Sequence, residues 1–329
     1  MYRHEVTEFA PKTWCLSEFK LVNAFLVEGE EKAALIDTGC GIGHLADAVR
    51  ELTDKPLIIL ITHGHFDHDG GVKQFPGVPV YLHGADGQMM HQTVAMMQKM
   101  MGAADMNIMR KYYITSRAPI RCPELEVSKL LELVPTEPCD PIYDYLPMED
   151  GMEFDLGGRV LKVIHTPGHS AGEVSILDET SRTLFSGDTA NVGIILMRQP
   201  DNGTALIEEC NRTMGKLWAM ESAYDRLGVG HDEVTISKQI VKDYLDLTCG
   251  LLDGSIVGAY EETGFRKGDV ARLGMAELWY QCDAYSDSCL TLNIPCRKAP
   301  ANHGGCFLYV RVLARKTGLC MLQGAVLRL

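Results

Sequence analysis

No two cysteines of this 329-residue chain are spaced C-x-x-C, although it has eleven of them. The count is odd, so a disulfide framework is the poorer reading and a reducing, cytoplasmic compartment the better one. Long apolar runs are missing too. None approaches the roughly 18 residues needed to span a bilayer, so no membrane partner is expected. The opening residues lack an apolar signal-peptide core, and no leader is expected. Net positive charge is also lacking. Lys and Arg total 31 against 44 Asp and Glu, a net of −13. Such a field repels polyanions, so no nucleic acid is expected as a partner. What is present is an ordinary globular mixture, 46% hydrophobic and 23% charged, enough for a sizeable core. The length allows one large domain, one domain plus an appendage, or at most two or three small ones.

The appendage is marked by composition. Five cysteines (Cys282, Cys289, Cys296, Cys306 and Cys320) fall in the last 48 residues. Residues 282–329 carry a net charge of +4, and the rest of the chain −17. Their cysteine spacing is not that of a zinc ribbon. Phe307–Leu313 and Leu319–Leu327 read as a hairpin around Arg315–Gly318.

The body begins with strand patterns. Val22–Val27 and Ala33–Ile36 read as a hairpin, the second ending in Asp37-Thr38-Gly39. A short helix fits from about Gly43 to Leu52. Leu57–Ile61 is a continuous apolar run, as in a strand covered on both faces, and Val78–Leu82 is another strand. Residues 86–110 turn helical and methionine-rich; a second helix fits about Glu126–Leu133 in an otherwise irregular, Pro-rich stretch. Strands return at Met152–Leu156, Val160–Ile164, Val174–Leu177, Thr183–Phe185 and Leu227–Gly230. Helices fit Thr204–Tyr224 and Ile236–Leu252. The strand ends Asp37-Thr38-Gly39 and Gly187-Asp188-Thr189 echo each other, which suggests two similar β-rich halves.

The strongest chemical signal is His63-x-His65-x-Asp67-His68. In an extended stretch alternate residues face one way, so His63, His65 and Asp67 converge and a turn brings His68 round. Gly64, Gly70 and Gly71 let the backbone bend close to an ion. Further candidates stand where strands end: His169, Asp188 and His231. Five imidazoles and two carboxylates suit two adjacent Zn²⁺ ions with positions open for water, with Fe or Mn as alternatives. A carboxylate such as Asp188 can bridge two ions. A water held between them becomes a hydroxide nucleophile near neutral pH, and the ions polarise a substrate carbonyl or phosphoryl oxygen.

Thr62–Gly71, Thr166-Pro167-Gly168-His169, Ser186-Gly187-Asp188-Thr189 and Gly230-His231 together resemble the metallo-β-lactamase-fold hydrolases, in the branch of glyoxalase II and the N-acyl-homoserine lactonases. The resemblance spans about residues 20–250. It implies that His63, His65 and His169 hold one metal, that Asp67, His68 and His231 hold the other, and that Asp188 bridges. It implies an α/β fold, a four-layer αβ/βα sandwich with the site at one edge, and a supporting role for Asp37. The domain layout that follows is a catalytic body over 1–255 with a helical insertion at about 84–150, then an extension over 256–329. The chain departs from the family pattern in two places. Val229, not Pro, precedes Gly230-His231, and Asn191 lies where the lactonases place a Tyr after the bridging Asp. Asn191 can donate to an oxyanion or cap its loop.

The expected activity is hydrolysis of a small ester, thioester or lactone by a metal-bridging hydroxide, with Asp67 accepting a hydrogen bond from it. A mononuclear iron persulfide dioxygenase and a phosphodiesterase of the same fold are the alternatives. His44, His83, His91 and His303 read as surface or loop residues, and His165 as a candidate supporting residue. Met96, Met97 and Met100 form either core or homodimer packing, or an adaptable lid over an apolar substrate. Tyr143 and Tyr145 are minor candidates for substrate contact.

Overall fold

A computed structural model describes residues 2–196, 203–264 and 266–280, together with three two-residue strands nearer the C-terminus. The first sheet has seven strands in sequence order: β1 (Glu5–Ala10), β2 (Thr13–Glu18), β3 (Val22–Glu28), β4 (Ala33–Ile36), β5 (Leu57–Leu60), β6 (Val80–Leu82) and β7 (Leu146–Pro147). Its first four strands form an antiparallel meander, and β4 to β7 run parallel. The second sheet is built from β8 (Glu153–Asp155), β9 (Val160–His165), β10 (Val174–Asp178), β11 (Thr183–Gly187), β13 (Arg226–Val229) and β14 (Thr235–Ser237), in the order β14-β13-β11-β10-β9-β8. A smaller sheet joins β12 (Gly193–Ile195) to β17 (Ala276–Tyr280), β16 (Arg266–Leu273) and β15 (Ala259–Thr263).

The apolar strand runs are explained by layering. Phe25, Val27, Ala34 and Ile36 of the first sheet pack against Leu161, Val163, Ile176 and Phe185 of the second. The Phe25 and Phe185 rings lie 5.0 Å apart across that interface. On the outer face of the first sheet, α1 (Leu45–Leu52) buries Leu45 and Val49 beside Leu35, Leu57 and Ile59. The helices α6 (Gly203–Ala219) and α7 (Gln239–Asp253) cover the second sheet, burying Leu217, Tyr244 and Leu247 against Leu177, Leu184 and Leu227. The molecule is thus helix, sheet, sheet, helix. The central strands β3, β4, β5, β10 and β11 are buried on both faces, which is why they read as apolar runs.

Between β6 and β7 the chain leaves the sheet for α3 (Met89–Met101), α4 (Met106–Arg121) and α5 (Val127–Leu131). The helical stretch expected over 86–110 is two helices, with Gly102 in a left-handed conformation at φ 73° between them. Met97, fully buried, packs with Met106 and Met109 beneath Phe66 and Cys139. The buried methionines are core.

The N-terminal strands β1 and β2 precede the first strand read from the sequence. Ile236 and Ser237, expected to open a helix, belong instead to the edge strand β14. The meander β15–β17 is joined to the body. β17 pairs parallel with β12, while Ala271, Ala276 and Leu278 sit in the core formed with α6 and α7. Of the expected tail hairpin, the described part is Leu313–Ala314 paired antiparallel with Cys320–Met321. Cys282, Cys289, Cys296, Cys306 and His303 lie outside the described residues. No helix among the described residues is long and apolar enough to cross a membrane.

Candidate metal centre

Four strands of the two sheets empty their carboxyl ends at one edge, and each delivers part of the site. β5 leads through Thr62 into the His63-x-His65-x-Asp67-His68 turn, where α2 (Phe66–Asp69) swings His68 back toward His63. β9 leads to His169, β11 to Asp188 and β13 to His231. Backbone bonds close the edge between halves: Val174 N–H donates to Thr62 O at 2.9 Å, and Asn23 N–H to Gly230 O at 2.8 Å.

The imidazoles are pinned from outside. His63 Nδ1 lies 3.2 Å from Thr62 Oγ1, and His68 Nδ1 lies 2.8 Å from Asp37 Oδ2. His169 Nδ1 donates to Ile195 O at 2.6 Å, and His231 Nδ1 to Leu21 O at 2.7 Å. Each outer bond fixes a ring and leaves its Nε2 facing inward, the arrangement that holds histidines as metal ligands. Asp37 also accepts from Thr62 N–H at 2.7 Å, and does so from a left-handed φ of 62°. Asp tolerates that conformation better than most residues.

The inward atoms form three overlapping groups: His63, His65 and His169; His63, His68 and Asp188; and Asp67, His68 and His231. Within each, the candidate donor atoms lie within 4.8 Å of one another. His63 Nε2 and His169 Nε2 are 2.8 Å and 2.9 Å from His65 Nδ1. Three converging ring nitrogens cannot all be satisfied by one another's protons. Fully buried His68 Nε2 has no hydrogen-bond partner among the described residues and stands 3.6 Å from Asp188 Oδ1. Asp188 Oδ2 lies 3.6 Å from His169 Nε2 and 3.4 Å from His231 Nε2, so this carboxylate sits between the two trios. Unsatisfied nitrogen lone pairs beside carboxylates fit divalent cations.

Charge preferences favour neutral donors at His63 and His65, whereas His68 is favoured as an imidazolium whose proton a bound cation would have to displace. Burial, then His68, holds His63 well below the usual imidazole range; burial, then His169, brings His65 down to about 3. Burial opposes the charge on His68 too, yet Asp37 and Asp188 hold it at about 10. Burial likewise opposes ionisation of Asp188 and Asp67. The surrounding histidines, His231 and His68 foremost, still keep both below the ordinary carboxylate range.

Val229, which stands before Gly230-His231 where the family pattern has Pro, is fully buried and pairs with Gly187 at the end of β13. A Cβ on Gly230 would sit 2.7 Å from Asp188 Oδ1 and 2.7 Å from His68 Cε1, so only glycine lets β13 pass this close. Glu173 lies behind the site. It is wholly buried, accepts Asp188 N–H at 2.8 Å, and is pushed up by burial, then by Asp188.

A cleft of about 230 Å³ opens on this centre, lined by His65, Asp67, His169, Asp188, Asn191 and His231 together with α4 and the β12–β16 wall. The structure thus brings together the seven ligand candidates and Asn191. Asn191 Nδ2 donates to Asp188 Oδ1 at 2.9 Å, and its side-chain Oδ1 accepts Gly193 N–H at 3.0 Å. Sequence reasoning missed Tyr113, which lines the cleft and donates its hydroxyl to Asp67 Oδ2 at 2.8 Å. The other candidates lie elsewhere. Tyr143 donates to buried Asp69, and His165 bonds Ala171 O and stacks on His83 at 4.3 Å. Met96 and Met97 do not line this cleft, whose insertion-derived wall is α4.

The family model of the metallo-beta-lactamase superfamily matches residues 18–243. The chain belongs to that superfamily. The human acyl-coenzyme A thioesterase MBLAC2 is 30% identical over 190 residues, which cover 53% of this chain and 60% of that protein. The match therefore spans less than two thirds of that relative's length. Among metallo-beta-lactamase-fold structures, the sec-alkylsulfatase Pisa1 from Pseudomonas sp. superposes with a TM-score of 0.56 at 16% identity, over 77% of this chain and 42% of that one. A Cronobacter sakazakii metallo-beta-lactamase with a HARLDQ motif gives 0.51 at 18% identity, over 77% and 94%. These two likenesses concern the fold, and the four-layer sandwich is that of the superfamily.

Proposed function

We propose that this protein is a dinuclear metal-dependent hydrolase of small thioesters, with esters and lactones as related substrates. The observation that carries the reading is the set of outwardly pinned imidazoles whose remaining nitrogens converge on Asp188 and Asp67. The thioester follows from the name of the human relative. In this reading His63, His65 and His169 hold one cation, Asp67, His68 and His231 the other, and Asp188 lies between them. The filled second trio favours two ions over a mononuclear iron dioxygenase. Zinc suits a nitrogen-rich set with carboxylates, and Fe or Mn would also fit. When bound, the cations supply an activated water and polarise the scissile carbonyl.

The chain's own residues do the rest. Asp67, kept ionised by its histidine neighbours, accepts a hydrogen bond from the attacking water and aims it at the carbonyl carbon. Tyr113 holds Asp67 Oδ2, so the orientation of that carboxylate is set before substrate arrives. One N–H of Asn191 is committed to Asp188, and in this reading the other donates to the carbonyl oxygen as it gains charge. The C–O bond forms, the C–S bond breaks, and acid and thiol are released. The proposed layout is the catalytic body over 1–255, its insertion at about 84–150, and the extension over 256–329, whose first strands complete the cleft wall. The workplace is proposed to be the cytoplasm and the partner a small molecule.

Hydrolysis of butyryl-coenzyme A tests this. Chelation should abolish turnover and added zinc restore it, and Asp188→Ala should lower kcat by at least about 100-fold. Unchanged hydrolysis after chelation contradicts the reading.

A further inference from the structure

We propose that the cleft selects anionic substrates, and that Arg117 of α4 and Arg266 of β16 grip their phosphate or carboxylate group. This rests on the hydrolase reading and deepens it.

The chain is acidic overall, with a net charge of −13, yet the cations lining the cleft are the arginines Arg117, Arg121 and Arg266. Tyr113, Arg117 and Arg121 stand at i, i+4 and i+8, one face of α4, each step rising about 6 Å. The inner end of that face is the hydroxyl bonded to Asp67. Moving outward, the face carries positive charge beside the reacting centre. Arg117 lies 5.6 Å over the Tyr113 ring and is half-buried, which holds its guanidinium along the cleft wall.

Arg121 has a different task. It pairs with Asp232 at 2.7 Å, and Asp232 is held at a left-handed φ of 67° immediately after His231. That pair clamps the His231 turn. Arg266 lines the same cleft from β16. It bonds Glu277 at 2.9 Å and lies 5.9 Å over the Trp279 ring. Its guanidinium crosses β12 at Gly193, where a Cβ would fall 2.5 Å from Nη1. A side chain at 193 would displace it. Two arginines from different elements lining one cleft suit a planar or tetrahedral oxyanion better than lysines would, because each guanidinium presents a two-pronged donor.

The test uses uncleavable thioethers titrated calorimetrically into the zinc-loaded protein: S-methyl coenzyme A (phosphates), S-methyl glutathione (carboxylates) and neutral S-methyl-N-acetylcysteamine. At least one anion should bind tenfold or more tighter than the neutral probe, and less tightly as salt rises. Which anion wins decides between phosphate and carboxylate. Arg117→Ala and Arg266→Ala should each weaken the preferred anion by about 10–100-fold, and Arg117→Lys should recover part of the loss. Equal affinity for all three probes overturns the proposal. So do alanine variants that keep the preference while melting as the wild type does. Selective anion binding without butyryl-coenzyme A hydrolysis would leave the anion site standing and sink the thioesterase reading. Hydrolysis without selectivity would do the reverse.

Discussion

A neutral imidazole directs one nitrogen reliably only when the other is held, and four histidines here are held by Thr62, Asp37, Ile195 O and Leu21 O. The histidines themselves were legible because their spacing is local and each follows a strand. Their outer partners were not, because Leu21 and His231 are brought together only by the fold. Tyr113 was hidden for a similar reason. It lies 46 residues from Asp67, just past the stretch read as helical, and its signal is the Tyr113-Arg117-Arg121 spacing on α4. Asn191, read as an oxyanion donor or a cap, has one donor on Asp188. Removing only the hydroxyl that orients Asp67, in Tyr113→Phe, should lower kcat on butyryl-coenzyme A by about 10–100-fold with an unchanged melting temperature. A full-rate variant would show that Asp67 needs no such restraint.

At the level of elements, the loops after β5 and β9 must hold a fixed distance, and Asp86 sets it. This carboxylate, 1% exposed at the entry to the insertion, accepts Gly64 N–H at 3.1 Å, Ser170 Oγ–H at 2.7 Å and Gly172 N–H at 2.6 Å. Asp86→Ala would strand three buried donors beside His63, His65 and His169. The cost should be at least about 2 kcal/mol in urea unfolding, with weaker zinc retention against a chelator. Unaltered retention would separate Asp86 from the metal loops. Elements buried on both faces were the legible ones: β3, β5, β10 and β11 read as apolar runs. The edge strand β14 was largely absorbed into a helix, and the short β12 and the polar meander β15–β17 escaped notice. The meander strands carry charges and β12 is only three residues long, so both are recognisable only by the partners they pair with.

For the molecule as a whole, stability should carry the mark of Glu18. Its carboxylate, buried in the first sheet, accepts Cys40 and Ile42 N–H at 2.8 and 2.6 Å, next to the strand end that bears Asp37. Burial outweighs those amides and pushes Glu18 up from 4.5 to about 7. A raised folded pKa means that the native state favours the protonated acid. Its stabilising contribution is full below about pH 4.5 and is lost as pH rises through 7. Compared with Glu18→Gln, the wild type should lose on the order of a few kcal/mol between pH 4.5 and 8, read by urea unfolding at both ends. Parallel curves would contradict this.

The four-layer body places every proposed ligand at one edge, and the account stands on two ions working there together. The most direct measurement is butyryl-coenzyme A hydrolysis by metal-free protein titrated with zinc. The account predicts little activity after one equivalent per chain and full activity only after the second. Activity that saturates at one equivalent, or that is present before any zinc is added, would contradict it.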